Sequence, residues 1–333
     1  MKIFITGVAG FIGSRLANYI LENHPEHEVW GVDDMSGGFI WNIPAGVHFA
    51  NSNIVPLRRH FEMCKPDVVY HAAAYAAEGL SPFIRKYNYT NNVVFTAEIT
   101  NLCIEYNVKR LIFFSSIAVY GNTHLPPFKE MMQPTPIDPY GIAKYTCEMD
   151  IRIAGEQHGL DWVIFRPANV YGPHQNIWDN YRNVLGIWAL QALEGKKLRV
   201  FGDGSCVRAF TYIDDILKPL YRASYDAVVS KQIFNIMSNI QCSVMEAAEM
   251  MSNLTGAGIE VVESRHEVKY AYADSSHAED LLWFNPKTPL SVGMERMWTW
   301  AKQVHRWPEQ RNIKLWSPEY EITTGMYHSW QKK

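Results

Sequence analysis

The first thirteen residues constrain the fold more than any other stretch of the 333-residue chain. Lys2-Ile3-Phe4-Ile5-Thr6 is a short, apolar and β-branched run, which is typical of a buried strand. Gly7-Val8-Ala9-Gly10-Phe11-Ile12-Gly13 follows, and apolar residues then recur at helical spacing through residue 20. A strand, a glycine turn and a helix in this order bring backbone N–H groups to a pyrophosphate. The spacing G-x-x-G-x-x-G matches the usual dinucleotide fingerprint loosely, and a plain β-turn-α corner is the alternative.

A second candidate strand ends in acidic residues that bear on the choice of cofactor. Val29-Trp30-Gly31-Val32 is apolar and leads into Asp33 and Asp34. Asp33 follows Gly13 by about 20 residues, the separation expected for a carboxylate that binds the adenosine ribose hydroxyls. Because Asp33 would repel a 2′-phosphate and no arginine follows directly, the sequence favours NAD over NADP. Asp34 is a second candidate for this site, or a turn residue in solvent.

Further apolar runs alternate with helical stretches through the first half of the chain. Candidate strands lie at residues 48–50, 68–71, 111–114 and 162–165, and a helix is predicted over 92–106. This alternation predicts an α/β fold with a Rossmann-type, doubly wound parallel sheet. Open sheets of this kind bind ligands at the carboxyl ends of their strands.

Several of these strand ends carry candidate ligand-binding residues. Asn53, after the third strand, offers a side-chain amide to the adenine edge, or is a turn asparagine. The small residues 72–74, after the fourth strand, let the backbone approach a cofactor. Ser116, after the fifth strand, is placed to act on a substrate. His71 is predicted to be a packed histidine rather than a catalyst.

The pattern of the chain changes after Pro167, where loop-like and helical segments become irregular. Residues 185–193 are predicted to be helical, and residues 208–212 to form one strand. A buried strand at 233–236 is expected to return to the first sheet. The second half therefore predicts a smaller, interrupted α+β lobe that caps the sheet.

Two domains follow from these patterns. Residues 1–168 are predicted to form an NAD-binding Rossmann domain, rejoined by a segment near 206–236. Residues 169–333 are predicted to form the substrate-binding lobe and a C-terminal tail. The tail carries Trp307, Trp316 and Trp330 between polar residues, and we expect it to pack on the surface.

Composition excludes several classes of partner. A net charge of −3 without a basic run gives no reason to propose nucleic acid. The five cysteines are scattered and form no C-x-x-C or Cys/His cluster, so we expect a reducing compartment and no metal site. No apolar run approaches the about 18 residues of a membrane span. We expect a soluble cytoplasmic protein.

The stretch from Pro139 to Lys144 offers a candidate catalytic pair. On a helix, Tyr140 and Lys144 lie one turn apart on the same face. A nearby cation favours a phenolate and lowers the phenol pKa by about 1–3 units from its usual value of about 10. The pair can therefore act as a base near neutral pH, although a tyrosine and a solvated lysine at this spacing are common by chance.

In chain order, these motifs resemble the extended short-chain dehydrogenase/reductase family, in particular its NAD-dependent nucleotide-sugar epimerase/dehydratase group. The resemblance covers most of the chain. It is carried by the glycine turn with Thr6, Asp33, His71 with residues 72–74, Asn92-Val93, residues 115–121, Tyr140 with Lys144, residues 166–173, residues 201–204 with Arg208, and Tyr212 with Asp214-Asp215.

The resemblance implies roles for particular residues. Tyr140 would be the catalytic base, Lys144 would support it and reach the nicotinamide ribose, and Ser116 would hydrogen-bond the reacting oxygen. The cofactor site is predicted to contain Gly7, Gly10, Phe11, Ile12, Gly13, Asp33, Asp34, Asn53, Ile54, Ala72, Ala73, Asn92, Tyr140, Lys144 and Pro167. The substrate site is predicted to contain Ser116, Tyr140, Asn169, Asn183, Arg208 and Arg265.

Within the group, the chain is most similar to UDP-glucose 4-epimerase-like proteins. The 4,6-dehydratases place an Asp-Glu pair directly after the hydroxyl residue, and UDP-glucuronate decarboxylases carry a Glu two residues after it. Here these positions are Ile117 and Ala118, which cannot transfer protons. The expected activity is NAD-dependent epimerisation of UDP-glucose and UDP-galactose through a transient 4-keto sugar. The alternatives are a 4-keto reductase or another epimerase of the family and, from another class, a non-catalytic NAD-binding sensor.

Three further expectations concern the substrate and the assembly. Arg208 and Arg265 are candidates for the substrate diphosphate, because guanidinium groups bind phosphate oxygens in pairs. Arg265 is also consistent with a surface arginine. Glu78 either faces the sugar or is a solvated loop acid, and we favour the latter. The resemblance implies a homodimer through the helices at 92–106 and 140–156.

Overall fold

The computed structural model describes residues 1–52, 57–265, 267–311, 313 and 315–328. The strands are β1 (Lys2–Thr6), β2 (Glu28–Asp33), β3 (His48–Asn51), β4 (Val68–His71), β5 (Arg110–Phe114), β6 (Trp162–Pro167), β7 (Val170–Tyr171), β8 (Leu198–Phe201), β9 (Val207–Ala209), β10 (Thr211–Tyr212), β11 (Gln232–Ile236), β12 (Gln241–Ser243), β13 (Ile259–Val262) and β14 (Tyr270–Ala271).

The α-helices alternate with these strands in the first half and cluster in the second. They are α1 (Phe11–Asn23), α2 (Leu57–Cys64), α3 (Arg85–Tyr89), α4 (Phe95–Glu105), α5 (Pro139–His158), α6 (Val184–Leu193), α7 (Ile213–Arg222), α8 (Val244–Thr255), α9 (Ser276–Leu282), α10 (Leu290–Val304) and α11 (Trp307–Gln310). Among the described helices, none is long and apolar enough to cross a membrane.

One parallel sheet forms the centre of the molecule, which confirms the predicted fold class. Its strands lie in the order β11-β6-β5-β4-β1-β2-β3. The order reverses between β1 and β4, so a crevice opens at the carboxyl ends of these two strands. The return of β11 to the sheet, beside β6, was also predicted correctly.

Alternation of side chains along the strands builds a core on each face of the sheet. In β1, Ile3 and Ile5 pack into one core together with Leu16 of α1. Phe4 points to the other face and joins a second core with Phe61 of α2. Because both faces are covered, the three central residues of β1 are all apolar, as expected of a parallel sheet.

Helix α5 carries the candidate pair, and its ends are set by local sequence. Asp138 caps the N-terminus, and its carboxylate accepts a hydrogen bond from Gly141 N at 2.9 Å. Pro139 occupies the first turn, where its missing N–H costs nothing. Gly159 ends the helix in the left-handed conformation with φ of 74°. These signals place Tyr140 and Lys144 in the first two turns of α5.

Two predicted elements differ from the structure. The strand at 208–212 is split at Phe210 into β9, which pairs with β12 and β14, and β10, which pairs with β7. The buried Phe210 side chain packs into the main core between them, so the two halves serve different sheets. The helix predicted at 92–106 begins earlier, at Arg85, and contains a π-helical turn at Thr90–Val94.

The lobe of the second half lies over the carboxyl ends of the sheet strands. Besides β7 with β10, it contains the three-stranded sheet β12-β9-β14 and the pair β13-β8. The division into domains at residue 168 stays a prediction. The described part of the tail packs on the surface as expected, but it does so at the mouth of the crevice.

Candidate active site

A cleft of about 1640 Å³ lies between the carboxyl ends of β1, β4 and β5 and the second-half lobe. It brings together most of the residues predicted from the sequence. Those on its wall are Gly7, Gly10, Phe11, Ile12, Gly13, Asp33, Asp34, Ala72, Ala73, Ser116, Tyr140, Lys144, Pro167, Asn169, Asn183, Arg208 and Arg265. Asn53 and Ile54 lie outside the described residues.

The glycine turn has the shape that a dinucleotide pyrophosphate requires. Gly7 has φ of +72°, and a Cβ there would lie 2.7 Å from Ala73 N in the segment after β4. A Cβ at Gly13 would collide with the Gly7 carbonyl. The backbone can therefore close tightly only with glycine at both positions. The N-terminus of α1 has no side-chain cap, so its N–H groups and positive dipole end face the cleft.

Asp33 ends β2 beside this turn, where a ribose-binding acid belongs. Its carboxylate accepts hydrogen bonds from Ala9 N at 3.0 Å and Met35 N at 2.9 Å. Burial raises the pKa of Asp33 to about 6, against the opposing effect of these N–H groups. Asp34 is more exposed and accepts from Ser36 N and Ser36 Oγ, at 2.9 and 2.6 Å. It is thus a turn acid that also lines the cleft.

Ser116, Tyr140 and Lys144 converge on the cleft from β5 and α5. Ser116 caps a 3₁₀ turn, and its Oγ accepts a hydrogen bond from Ala118 N at 3.1 Å. The Ser116 hydroxyl lies near the Tyr140 phenol, where it opposes the rise in the pKa of Tyr140 that burial causes. The Lys144 ammonium donates to the Phe114 carbonyl at 2.7 Å and lies 5.9 Å from the centre of the Tyr140 ring. A serine hydroxyl, a phenol and an ammonium therefore share one end of the cleft.

The electrostatics of this trio differ from the expectation that Lys144 lowers the phenol pKa. Burial raises the pKa of Tyr140 above its ordinary value, and the acids Glu78 and Asp138 add to the effect. Burial also lowers the pKa of Lys144 to about 8. The ammonium points to the Phe114 carbonyl rather than to the phenol oxygen. In the protein alone, burial therefore outweighs any lowering of the Tyr140 pKa by Lys144.

Buried polar contacts hold α5 against the sheet behind the trio. Arg166 of β6 binds Glu148 of α5 through two hydrogen bonds, Nε–Oε1 at 2.9 Å and Nη2–Oε2 at 2.5 Å. Ser115 Oγ also donates to Glu148, at 2.5 Å. His71 bonds Thr6 and Thr96 through its two ring nitrogens, and burial lowers its pKa to about 3. His71 is a packed histidine, as predicted.

Asn92 is the one described residue of the predicted cofactor site that is not on the cleft wall. Its side chain donates to Asn88 Oδ1 at 2.8 Å, inside the helix. Its carbonyl accepts from Thr96 Oγ1 at 2.5 Å and from Cys147 Sγ at 3.3 Å. These contacts lie in the π-helical turn, which widens the helix enough to free the carbonyl. Asn92 thus joins this helix to α5.

The lobe contributes two arginines at the far end of the cleft. Arg208 in β9 lies 3.3 Å from Glu267, and Arg265 lies 3.4 Å from the same carboxylate. Arg265 also stacks over the Phe201 ring, with 4.3 Å between its guanidinium carbon and the ring centre. Two guanidinium groups on one carboxylate leave a net positive charge, which suits a diphosphate.

The two asparagines predicted to bind the substrate lie on the cleft wall, but their side chains form hydrogen bonds with backbone groups. Asn183 caps α6 by accepting from Leu185 N at 3.0 Å, and it donates to Val170 O at 3.1 Å. Asn169 has φ of 42° and donates to Ala209 O at 3.1 Å. Both side chains therefore shape the loops of the lobe.

Glu78 and Arg182 also lie on the cleft wall. Glu78 is exposed, as expected of a loop acid, and it also lines the cleft, where desolvation by the surrounding walls and the nearby Asp138 carboxylate raise its pKa to about 7. Arg182 lies 4.4 Å from the centre of the Tyr75 ring and binds Asp179. No spacing rule points to these residues, because they come from loops on opposite sides of the cleft.

The C-terminal tail also reaches the wall, through Trp316 and Tyr327 among others. Tryptophans between polar residues were the only sequence signal for this placement. That signal predicts that the tail packs against the rest of the protein, but it does not predict which surface the tail covers.

The fold and this cleft define a class of protein: a Rossmann-type dinucleotide-binding protein with a serine, tyrosine and lysine at the cofactor crevice. The sequence profile of the NAD dependent epimerase/dehydratase family matches residues 3–236. The chain belongs to this family, and its cofactor is NAD. The glycine turn, the open N-terminus of α1 and Asp33 are the residues that fit the pyrophosphate and the adenosine ribose.

Relatives with assigned activities align along nearly the whole chain. A UDP-glucose 4-epimerase from Halalkalibacterium halodurans is 30% identical over 325 residues, which cover 91% of this chain and 96% of the relative. The structure of a Thermotoga maritima UDP-glucose 4-epimerase with UDP-glucose superimposes with a TM-score of 0.86 at 30% identity, covering 92% of this chain and all of that one. A Bacillus cereus UDP-glucuronic acid 4-epimerase, solved with UDP-glucuronic acid and NAD, gives a TM-score of 0.83 at 29% identity and covers 91% of this chain and all of that one.

Proposed function

We propose that this protein is an NAD-dependent UDP-sugar 4-epimerase that interconverts UDP-glucose and UDP-galactose. The observation that carries the proposal is the grouping of Ser116, Tyr140 and Lys144 at the cofactor crevice, with no proton-transferring residue at 117 or 118. The UDP-sugar 4-epimerases among its relatives support the same reaction.

In the proposed reaction, Tyr140 removes the proton of the sugar 4-hydroxyl. Ser116 donates a hydrogen bond to the same oxygen and stabilises the charge that builds on it. Lys144, held by the Phe114 carbonyl, keeps a positive charge one helical turn away. Bound NAD would supply the hydride acceptor for C4, in its reduced form the hydride donor for the return step, and in its oxidised form a positive charge that favours the phenolate. After the keto sugar has turned over in the cleft, C4 takes hydride back on its opposite face and Tyr140 returns the proton to the 4-oxygen.

The same segment argues against elimination or decarboxylation. Ile117 and Ala118 lie in the 3₁₀ turn that Ser116 caps, and Ala118 is buried. Neither side chain can accept or donate a proton, so the keto sugar has no acid in this turn to remove its 6-hydroxyl. Return of the hydride is then the favoured outcome.

The test is to incubate the purified protein with UDP-galactose, without added NAD, and to measure formation of UDP-glucose. We expect conversion, because the cofactor is regenerated in each cycle. Absence of conversion with UDP-hexoses and with their N-acetyl and uronic acid forms would contradict the proposal. Stoichiometric consumption of added NADH would instead identify a one-way 4-keto reductase.

We also propose that the protein is a homodimer that pairs through α5. Ile142, Met149 and Ile153 are 41%, 42% and 47% exposed and follow one another at helical spacing on one face of α5. Val94, at the neighbouring π-helical turn, is 54% exposed. Light scattering should give twice the chain mass, and Ile153→Lys should give the monomer.

A cytoplasmic location completes the proposal. The five cysteines are all free, and Cys64, Cys103 and Cys147 are buried. Free thiols of this kind persist in a reducing compartment, which supports the proposal. Fractionation of the source cells tests it, and recovery of the protein outside the cytoplasm would contradict it.

A further inference from the structure

The described end of the chain, residues 315–328, runs along the mouth of the cleft, and we name it the C-terminal strap. The strap lies beyond the segment that matches the family profile, which ends at residue 236. Five of its residues form part of the cleft wall: Leu315, Trp316, Ser317, Gly325 and Tyr327. The strap therefore borders the same space as the glycine turn and Tyr140.

The strap is attached to the cofactor half of the cleft by backbone hydrogen bonds. The Glu321 carboxylate accepts from Lys86 N and Tyr87 N, both at 2.9 Å, in the first turn of α3. The Phe83 carbonyl accepts from Glu321 N at 2.9 Å and from Ile322 N at 3.2 Å. A carboxylate on free N–H groups at the start of a helix is a charge-assisted contact, stronger than one between neutral groups.

Trp316 extends this attachment toward the ribose-binding end of the cofactor crevice. Its ring lies 5.1 Å from the Tyr87 ring and 5.9 Å from the Tyr75 ring, measured between ring centres. The Ser36 hydroxyl lies near the Tyr87 phenol, where it opposes the rise in the pKa of Tyr87 that burial causes, and it donates to Asp34 at 2.6 Å. A continuous row of contacts thus joins the strap to the loop after β2.

The far end of the strap is anchored in a small apolar cluster and reaches the lobe. Met326 is buried against Leu80 and Ile84, in the segment that follows β4. The Tyr320 hydroxyl is hydrogen-bonded to the hydroxyl of Tyr181, which belongs to the loop before α6. The strap therefore spans from the cofactor half to the lobe, with contacts on both sides.

We propose that the C-terminal strap is part of the cofactor site and slows the dissociation of NAD, with Trp316 and Glu321 as its main contributors. A dinucleotide that leaves by this mouth must pass the Trp316 ring, and the strap must first release its hydrogen bonds at α3. Retention of this kind suits a reaction that regenerates its cofactor. The proposal concerns cofactor binding, so it stands independently of which sugar reacts.

The test uses the full-length protein loaded with NADH. Bound NADH is chased with excess NAD⁺, and its release is followed by the loss of its fluorescence. Trp316→Ala and Glu321→Gln should each raise the dissociation rate constant about tenfold, a change of about 1.4 kcal/mol. Circular dichroism and thermal unfolding establish that each variant is folded.

Two matched variants on the same strap serve as controls. Glu319→Gln makes the same chemical change at an exposed position that forms no hydrogen bond or ion pair with the residues that the structure describes. Ile322→Ala shortens a side chain that is 45% exposed and leaves its backbone bond in place. Both should release NADH at the rate of the unaltered protein.

Two outcomes would overturn the proposal. One is a rate within twofold of the unaltered protein for folded Trp316→Ala and Glu321→Gln. The other is an equal increase in the rate of NADH release in the two control variants, which would show that Trp316 and Glu321 have no specific role. Epimerisation of UDP-galactose is measured separately, so a failure of the proposed reaction does not affect the result.

Discussion

The two sides of the cleft hold their functional groups in different ways. On the sheet side, backbone geometry sets the positions: Gly7 follows β1, Asp33 ends β2, and Lys144 is bonded to the last carbonyl of β5. On the lobe side, Arg208 and Arg265 come from separate segments and share one side-chain partner, Glu267.

This difference predicts how each side responds to substitution. Groups fixed by paired strands cannot relax, so a change on the sheet side should cost reaction rate or folding stability. The lobe arginines can exchange Glu267 for a ligand, so a change there should cost substrate affinity. Substitutions on the two sides, taken in decreasing order of expected effect, test this difference.

The largest effect is expected for Tyr140→Phe, which removes the proposed base and keeps the ring. The epimerisation rate should fall by about 10²–10⁴-fold, the contribution typical of general acid–base catalysis, while NAD stays bound. The measurements are the turnover of UDP-galactose and the cofactor content of the purified protein. Tyr145→Phe, one turn along α5, is the control and should keep its activity. Full activity in the Tyr140→Phe variant would contradict the assignment of Tyr140 as the base.

The glycine turn should give the largest effect on stability. Gly7→Ala adds a Cβ that would lie 2.7 Å from Ala73 N, at a φ of +72°. A left-handed backbone costs about 1–2 kcal/mol and overpacking about 1–3 kcal/mol, so the free energy of unfolding should fall by about 2–5 kcal/mol. Gly159→Ala separates the two causes, because φ is +74° and no atom lies within 4 Å. Urea unfolding measures the free energy of unfolding of both variants. Equal losses in Gly7→Ala and Gly159→Ala would show that the close approach of Ala73 to Gly7 contributes nothing.

The lobe arginines should affect binding rather than rate. Arg208→Ala and Arg265→Ala should each raise the KM for UDP-galactose by about 10–100-fold, since a hydrogen bond to a charged group is worth about 1.5–3 kcal/mol. The value of kcat should change less. Glu267→Gln should not raise KM, because it frees both arginines. The exposed Arg59→Ala is the control, and a kcat loss larger than the KM change would contradict the comparison.

The smallest effect concerns the pH dependence of NAD binding. The pKa of Asp33 is raised by burial to about 6, and the ribose hydroxyls bind its ionised form. NAD therefore competes with the proton, and the Kd should rise about tenfold as the pH falls from 7 to 5. The dependence should be flat in Asp33→Asn, which binds weakly throughout. Calorimetric titration at both pH values measures it, and a flat profile in the unaltered protein would contradict the role of Asp33.

The sheet side was largely predictable because its signals are local. The apolar run of β1, the glycine turn and the helix signals of α5 each act over a few residues. The strand-to-helix spacing then brings the ends of β1, β2, β4 and β5 to one edge by topology alone. Asp33, Ser116 and Tyr140 therefore reached the cleft as predicted. Asn92 did not, because a side chain in a π-helical turn can bond within its own helix instead.

The parallel sheet, its cofactor edge and the candidate trio of Ser116, Tyr140 and Lys144 could be predicted from the sequence, because strand periodicity and glycine stereochemistry are local constraints. The electrostatics of that trio, the split of β9 from β10 and the course of the C-terminal strap emerge only in the folded chain. These depend on which distant groups meet. The pKa of Tyr140 is raised by burial and by acids that include Glu78, 62 positions away, and the strap is held by backbone groups of α3. No pattern within a few residues carries that information.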